Sequence, residues 1–180
     1  SHYKEAIETL KGLEPLPVED IAELKNNLAF IYESEENYDR AETCFLDALK
    51  SCYEEFGSNH KQTAAYYNNV GSFYFKLGHD EQAGKMHGEA LKARVILFGE
   101  SHFESAQSYA NLALVLVRSG KVVEGLDHFE KALCGFESNL KVSGSDYQIV
   151  AANYRDVLES MGDERSVEAL DQRLVKNSLV

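Results

Sequence analysis

Only two prolines and three cysteines occur in these 180 residues. No apolar run approaches the ~18 residues that a membrane helix needs. Basic residues number 18 against 30 acidic ones, a net charge of −12. That balance repels phosphate backbones and anionic lipid, so neither nucleic acid nor a membrane surface is an expected partner. Cys44, Cys52 and Cys134 lack the CxxC spacing and fall inside apolar-periodic segments, which predicts buried thiols in a reducing compartment instead of disulfides or a zinc site. Also missing are HExxH, GxSxG, a Walker loop and a dinucleotide glycine pattern. No enzymatic activity and no cofactor are therefore expected. An apolar share of 44% and a charged share of 27% predict a folded, soluble, cytoplasmic protein. The opening SHYKEAIETL predicts a helix instead of a cleavable leader, and it reads as the middle of a structural unit.

What is present is repetition. Phe56, Gly57 and His60 return as Phe98, Gly99 and His102, each 42 positions later, and Asn27, Asn69, Asn111 and Asn153 keep the same interval. Beside them stand Leu28, Val70, Leu112 and Tyr154. A fixed period of this size means stacked supersecondary units, none able to bury its apolar face alone. Within a copy, Tyr67, Val70, Phe73, Tyr74 and Leu77 recur at helical spacing, and so do Ala83, Met86, Ala90, Leu91 and Ile96. Each copy is therefore two helices, the first stopping at Gly78, Gly120 or Gly162 and the second near Phe56-Gly57 or Phe98-Gly99. Pro15 and Pro17 fall between helices. The pattern predicts about nine helices, at 3–13, 18–34, 37–55, 60–77, 80–97, 102–118, 121–138, 145–161 and 163–177, and no strand. Gly84 and Gly88, inside the fifth of these, are expected to mark a close helix approach, because each costs about 1 kcal/mol relative to alanine.

These residues resemble the tetratricopeptide repeat, with its Asn-Leu-Gly/Ala triplet, aromatic, glycine turn and small residues in the second helix. The triplets are Asn27-Leu28-Ala29, Asn69-Val70-Gly71 and Asn111-Leu112-Ala113, and the aromatic is Tyr32 or Tyr74. The small positions are Ala41 and Ala48, Ala83 and Ala90, and Gly125 and Ala132, where two helices cross closely. The usual repeat is 34 residues long. The longer period with an FG-x-x-H link is similar to kinesin light chain, the cargo-binding subunit of a microtubule motor. The resemblance covers roughly residues 20–162 and implies an all-α fold, a right-handed superhelix of antiparallel helix pairs. Its parts would be a half repeat at 1–16, repeats at about 17–58, 59–100 and 101–143, and a degenerate or capping repeat at 144–180. The last copy departs from the pattern, with Arg155 where a small residue belongs and with Asp171 and Leu174 where aromatic and small ones do.

In the resembling fold the first helices line a concave groove. Helical spacing puts Glu23, Phe30 and Ser34 on the face of Asn27, Ala65, Ser72 and Lys76 on that of Asn69, Gln107, Leu114 and Arg118 on that of Asn111, and Ile149, Asp156 and Ser160 on that of Asn153. A flat amide both donates and accepts, so a ladder of asparagines suits the main chain of an extended peptide. The plainer reading is that these amides bond between repeats. Lys76 and Arg118 suit an acidic peptide, and Phe75 with Tyr66 an aromatic side chain, as the kinesin light chain resemblance implies. The plainer readings are a cation answering the helix dipole and aromatics in the core. The expected binding set is thus Asn27, Asn69, Asn111, Asn153, Ser72, Phe75, Lys76, Gln107 and Arg118. A two-carboxylate clamp for a chaperone tail is not expected, since no lysine or arginine stands at the −4 and +3 positions. His79 and His87, eight apart, are a weak metal pair, and His60 and His102 are expected to meet free amides at helix starts. The sequence predicts an interaction module for a partner's extended segment, of the cargo or adaptor type, with a kinesin motor and the cytoskeleton implied by the resemblance alone. The alternative is a scaffold subunit packing through its convex or terminal faces.

Overall fold

The computed structural model describes residues 2–13 and 17–177. Pro15 and part of the expected half repeat lie outside them. Among the described residues there are nine helices and no strand. They are α1 (His2–Leu10), α2 (Val18–Ser34), α3 (Tyr38–Phe56), α4 (Lys61–Lys76), α5 (Asp80–Phe98), α6 (Phe103–Arg118), α7 (Val122–Glu137), α8 (Leu140–Ser160) and α9 (Glu164–Asn177). The largest difference from the sequence reading is α8, which starts five residues ahead of the expected 145. It runs straight through Gly144, where an added methyl would meet nothing within 4 Å.

The chain divides into two units, residues 1–97 and 98–180. In the first, α2 and α3 form a hairpin, with α1 against α2 and α4 against α3. Its core gathers Ala29, Tyr32, Phe45, Leu49, Val70 and Phe73, with Phe45 and Phe73 rings 5.4 Å apart. In the second, α6 pairs with α7, and α8 and α9 follow. Here Phe129 stacks on Tyr154 at 5.6 Å, and Gly125 and Gly135 let helices close in: an added methyl would come within 2.6 Å of Val117 and 2.8 Å of Ala106 respectively. Gly88 is different. A methyl there meets nothing within 4 Å, so the close approach expected at that glycine is not what it serves.

Each first helix ends in the same turn. Amides of Asn37, His79, Lys121 and Asp163 donate to the carbonyls of Tyr32, Tyr74, Leu116 and Leu158, at 2.8, 2.9, 2.8 and 3.1 Å. This is the Schellman closure, whose penultimate residue is left-handed. Gly78, Gly120 and Gly162 supply that residue in three copies, and Glu36, at φ 58°, supplies it in the first. The FG-x-x-H joint works as expected at its histidines. Nδ1 of His60 accepts from the Gln62 amide and Nδ1 of His102 from the Glu104 amide, both at 3.3 Å. Phe56 and Phe98 stack on those imidazoles at 4.4 and 4.8 Å.

The last copy explains its own departures. Positions sixteen apart pair a small residue on a first helix with a large one on the second: Ala29 with Phe45, Gly71 with His87, Ala113 with Phe129. In the fourth copy both members change together, and Nη1 of Arg155 lies 2.8 Å from Oδ1 of Asp171. Further along α9, Arg173 reaches α7. It donates to both oxygens of Glu137 at 2.6 and 2.9 Å, to Glu130 at 2.7 Å and to the sulfur of Cys134 at 3.4 Å. Tyr147 and Asn177 complete the coordination of Glu137 at 2.9 and 2.8 Å. Burial would raise the Glu137 carboxyl, but the donors from Arg173, Tyr147 and Asn177 outweigh it and hold the group below the ordinary carboxylate range.

Candidate functional site

In the first unit the polar stripe of α2 meets that of α4. Nδ2 of Asn69 donates to Oδ1 of Asn26 at 2.9 Å, and Nζ of Lys76 lies 2.8 Å from Oε1 of Glu33. Both bonds span 43 positions, one repeat plus one residue. On each helix the two residues are seven apart, about two turns, so both bonds belong to one stripe. The hydrogen bond that Lys76 donates to Glu33 is the main reason its ammonium is held above its usual value, followed by the carboxylate's charge. Asn27 is half-buried next to Asn26, Ser72 is exposed, and Phe75 is half-buried.

Two members of this site were missed in the sequence. The 42-residue register points to Asn27, yet its buried neighbour Asn26 holds Asn69. The doublets Asn26-Asn27 and Asn68-Asn69 were the available signal. Glu33 was missed because it follows Asn27 by six, off the face of Asn27; its opposite sign to Lys76, 43 positions on, was the clue. Lys76 is consequently half of an ion pair, and its pull on an acidic peptide is largely cancelled by Glu33. Tyr66 is a core residue, 3% exposed, its hydroxyl accepting from Gln62 at 3.0 Å. Burial pushes that phenol up to about 12.

In the second unit Asn111 on α6 and Asn153 on α8 are both half-buried, and Arg118 is exposed in the last turn of α6. Gln107 binds across the helices, its Nε2 donating to Oδ2 of Asp146 on α8 at 3.1 Å. In each unit, then, a member of the expected binding set already bridges successive first helices. Such a bridge fixes the side-chain rotamer and leaves the amide with further donor and acceptor capacity, since Asn and Gln each carry two N–H donors and a two-lone-pair oxygen.

The thiols and imidazoles do not converge on any chemistry. Cys52 is buried, and burial raises it to about 11; Cys44 is half-buried and also raised, mainly by burial. Cys134 is exposed, which corrects the expectation of three buried thiols. Its position on α7 faces the Arg173 side of the array and not the core. His79 lies on the turn before α5 and is exposed, whereas His87 is buried within α5, so the two do not form a metal pair. Among the described residues no group of three or more His, Cys, Asp or Glu side chains gathers around a metal position, and no helix is long and apolar enough to cross a membrane. A concavity of about 400 Å³ between the ends of α8 and α9 is lined by Glu159, Glu164, Glu168 and Asp171 with Gly162 and Val167, an environment hostile to an acidic ligand.

Comparison with curated proteins gives no significant match. Among solved structures, BtubC (BKLC) from P. vanneervenii is similar over 98% of this chain and 70% of its own, with a TM-score of 0.87 at 23% identity. The kinesin light chain nearly identical TPR-like repeats of Podosopora anserina align over 98% of this chain and 87% of theirs, with a TM-score of 0.73 at 15% identity. At such identities the likeness is one of fold. The tetratricopeptide repeat model matches the sequence itself at residues 20–94 and 62–138, most of the chain and the span where the asparagine triplets recur, so the chain belongs to the tetratricopeptide repeat family.

Proposed function

We propose that the first-helix stripes bind an extended segment of a partner protein, with Asn69, Asn111 and their neighbours holding its main chain. Tetratricopeptide repeats mark the chain as a protein–protein interaction module; the peptide, its site and its source are the proposal. The observation that carries it is the Asn26–Asn69 bond at 2.9 Å. An amide already held in one rotamer loses little conformational freedom when it meets a peptide group, which favours binding. In the first unit Asn27, Ser72 and Phe75 belong to the proposed surface, with Lys76 acting as a hydrogen-bond donor whose charge Glu33 offsets; in the second unit Gln107, Asn111, Arg118 and Asn153 do. On this reading the ligand's acidity matters less than its extended backbone and an aromatic anchor. The fold shared with kinesin light chain repeats supports a cytoplasmic adaptor role beside a motor or the cytoskeleton.

The test is crosslinking mass spectrometry on partner complexes captured by the wild-type chain and by a variant with Asn69→Arg and Asn111→Arg. Crosslinks should fall on α2, α4, α6 and α8, and the variant should lose capture while keeping its helical circular dichroism. Undiminished capture by a folded variant overturns the reading.

A second reading, a scaffold subunit packing through its second helices, is favoured by Leu46 and Tyr53, 39% and 50% exposed on α3. Light scattering separates the two, because a self-assembling scaffold forms concentration-dependent oligomers.

A further inference from the structure

We propose that the second repeat, α4 with α5, is an acid-triggered joint, in which protonation of the buried His87 imidazole parts α5 from α4 while the α2–α3 and α6–α7 hairpins stay closed. The argument starts in the register. Phe45 and Phe129 hold the large position of the first and third copies, 1% and 0% exposed, and the second copy puts His87 there, 2% exposed. A phenyl ring at this site is indifferent to pH, whereas an imidazole gains a charge with each proton.

On the side of Nδ1 the surroundings of His87 give that charge no acceptor. From α4 the ring meets the backbone at Gly71, so closely that an added methyl would lie 2.8 Å from Nδ1 and Cε1. No hydration shell fits where a methyl does not. Along α5 the charge acting on it is that of Arg94, of like sign and itself buried; Arg94 stands where the third copy has Phe136. Nδ1 of His87 has no hydrogen-bond partner among the described residues, and neither has Oγ1 of Thr63, also buried on α4. Burial first and Arg94 second push the imidazole down from 6.5 to about 4.

The direction follows by linkage. Between those two values the opened hairpin binds the proton and the closed one does not, so the closed form is favoured above 6.5 and is progressively lost as pH falls toward 4. At pH 5 the ratio of closed to opened hairpin should fall about 30-fold from its value at pH 7.5. This does not depend on what the first-helix stripes bind.

Amide hydrogen exchange on the 180-residue chain at pH 7.5 and 5, corrected for intrinsic exchange, reads the effect helix by helix. Amides of α4 and α5 should lose about 30-fold in protection beyond any change in α2–α3 or α6–α7, and His87→Phe, which restores the residue of the other copies, should abolish the excess. His87→Leu repeats the test with a smaller apolar side chain. If neither variant folds, an NMR titration of the wild-type His87 ring decides. The proposal is overturned by a titration midpoint near 6.5, by uniform loss of protection across all helices, or by a folded variant that keeps the excess.

Discussion

Replacing Arg173 by alanine should loosen α9 by about 2–3 kcal/mol, a figure that follows from what the guanidinium leaves behind. Its side chain is 26% exposed and that of Glu137 is 24% exposed, whereas Glu130 is 45% exposed. Hydrogen bonds between charged groups contribute about 1.5–3 kcal/mol when shielded, and exposed pairs about 0–1 kcal/mol. The forked contact to Glu137 therefore carries most of the effect, and the contact to Glu130 adds a few tenths. Without Arg173, Glu137 remains a carboxylate screened from water with only Tyr147 and Asn177 as donors, which is why truncation costs more than the pair adds on paper. Repeat arrays need not unfold in one step, so hydrogen exchange is the proper assay. Protection in α9 should drop roughly 30- to 150-fold at neutral pH, since ~1.4 kcal/mol is tenfold. Arg173→Lys should recover only part, because an ammonium cannot reproduce the fork. The wild-type advantage has a pH signature as well. Glu137 is held below 4.5 in the fold, so its contribution is present above that value and fades as pH falls through the lowered one. A loss under 0.5 kcal/mol, or a deficit that persists unchanged once Glu137 is protonated, would refute the reasoning.

Four further substitutions test the backbone and the cross-helix bonds. Glu36→Gly should stabilise the first unit by about 0.5–1 kcal/mol, because Glu36 is the one non-glycine residue in the left-handed turn position that glycine fills in the other copies; urea denaturation monitored by circular dichroism reads it. Gly88→Ala should add about 0.5–1 kcal/mol by the same assay, since the added methyl enters open space inside a helix, whereas Gly71→Ala should destabilise because its methyl collides with the His87 ring. Asn26→Ala should weaken protection across α2 and α4 by about 1–2 kcal/mol in hydrogen exchange, as it leaves the half-buried Asn69 amide without its bond; no change would mean that the amide readily finds another partner.

The period carried the fold into view. Asn27 to Asn153 and the glycines at 78, 120 and 162 recur at fixed spacing because each copy must present the same face to its neighbour and end its helix at the same height. Interval alone placed the turns and the small positions of the second helices. What it could not place were contacts that step between copies by one residue more than the period. Asn26 to Asn69 and Glu33 to Lys76 both span 43 positions. Successive helices are offset as they stack, and an alignment in sequence hides that offset. The 42-residue register therefore points to Asn27 instead of Asn26, and it leaves Lys76 to an acidic peptide or the helix dipole with no sign of Glu33.

The same offset governs what a site in this unit can recognise. If the stripe binds a peptide as proposed, the Glu33–Lys76 pair and the Asn26–Asn69 bond leave it little net charge with which to select one. What it can offer is fixed hydrogen-bond geometry, which selects for an extended main chain over a particular sequence. Sequence preference must then come from side chains at the edge of the stripe. Phe30 is the best placed in the first unit, 46% exposed and braced edge-on against Phe45 at 5.0 Å. The register gives Ser72, Leu114 and Asp156 at its equivalents. On the proposed reading, an apolar anchor in one copy beside Ser72 in its neighbour would fix where along the stripe a peptide's aromatic residue settles.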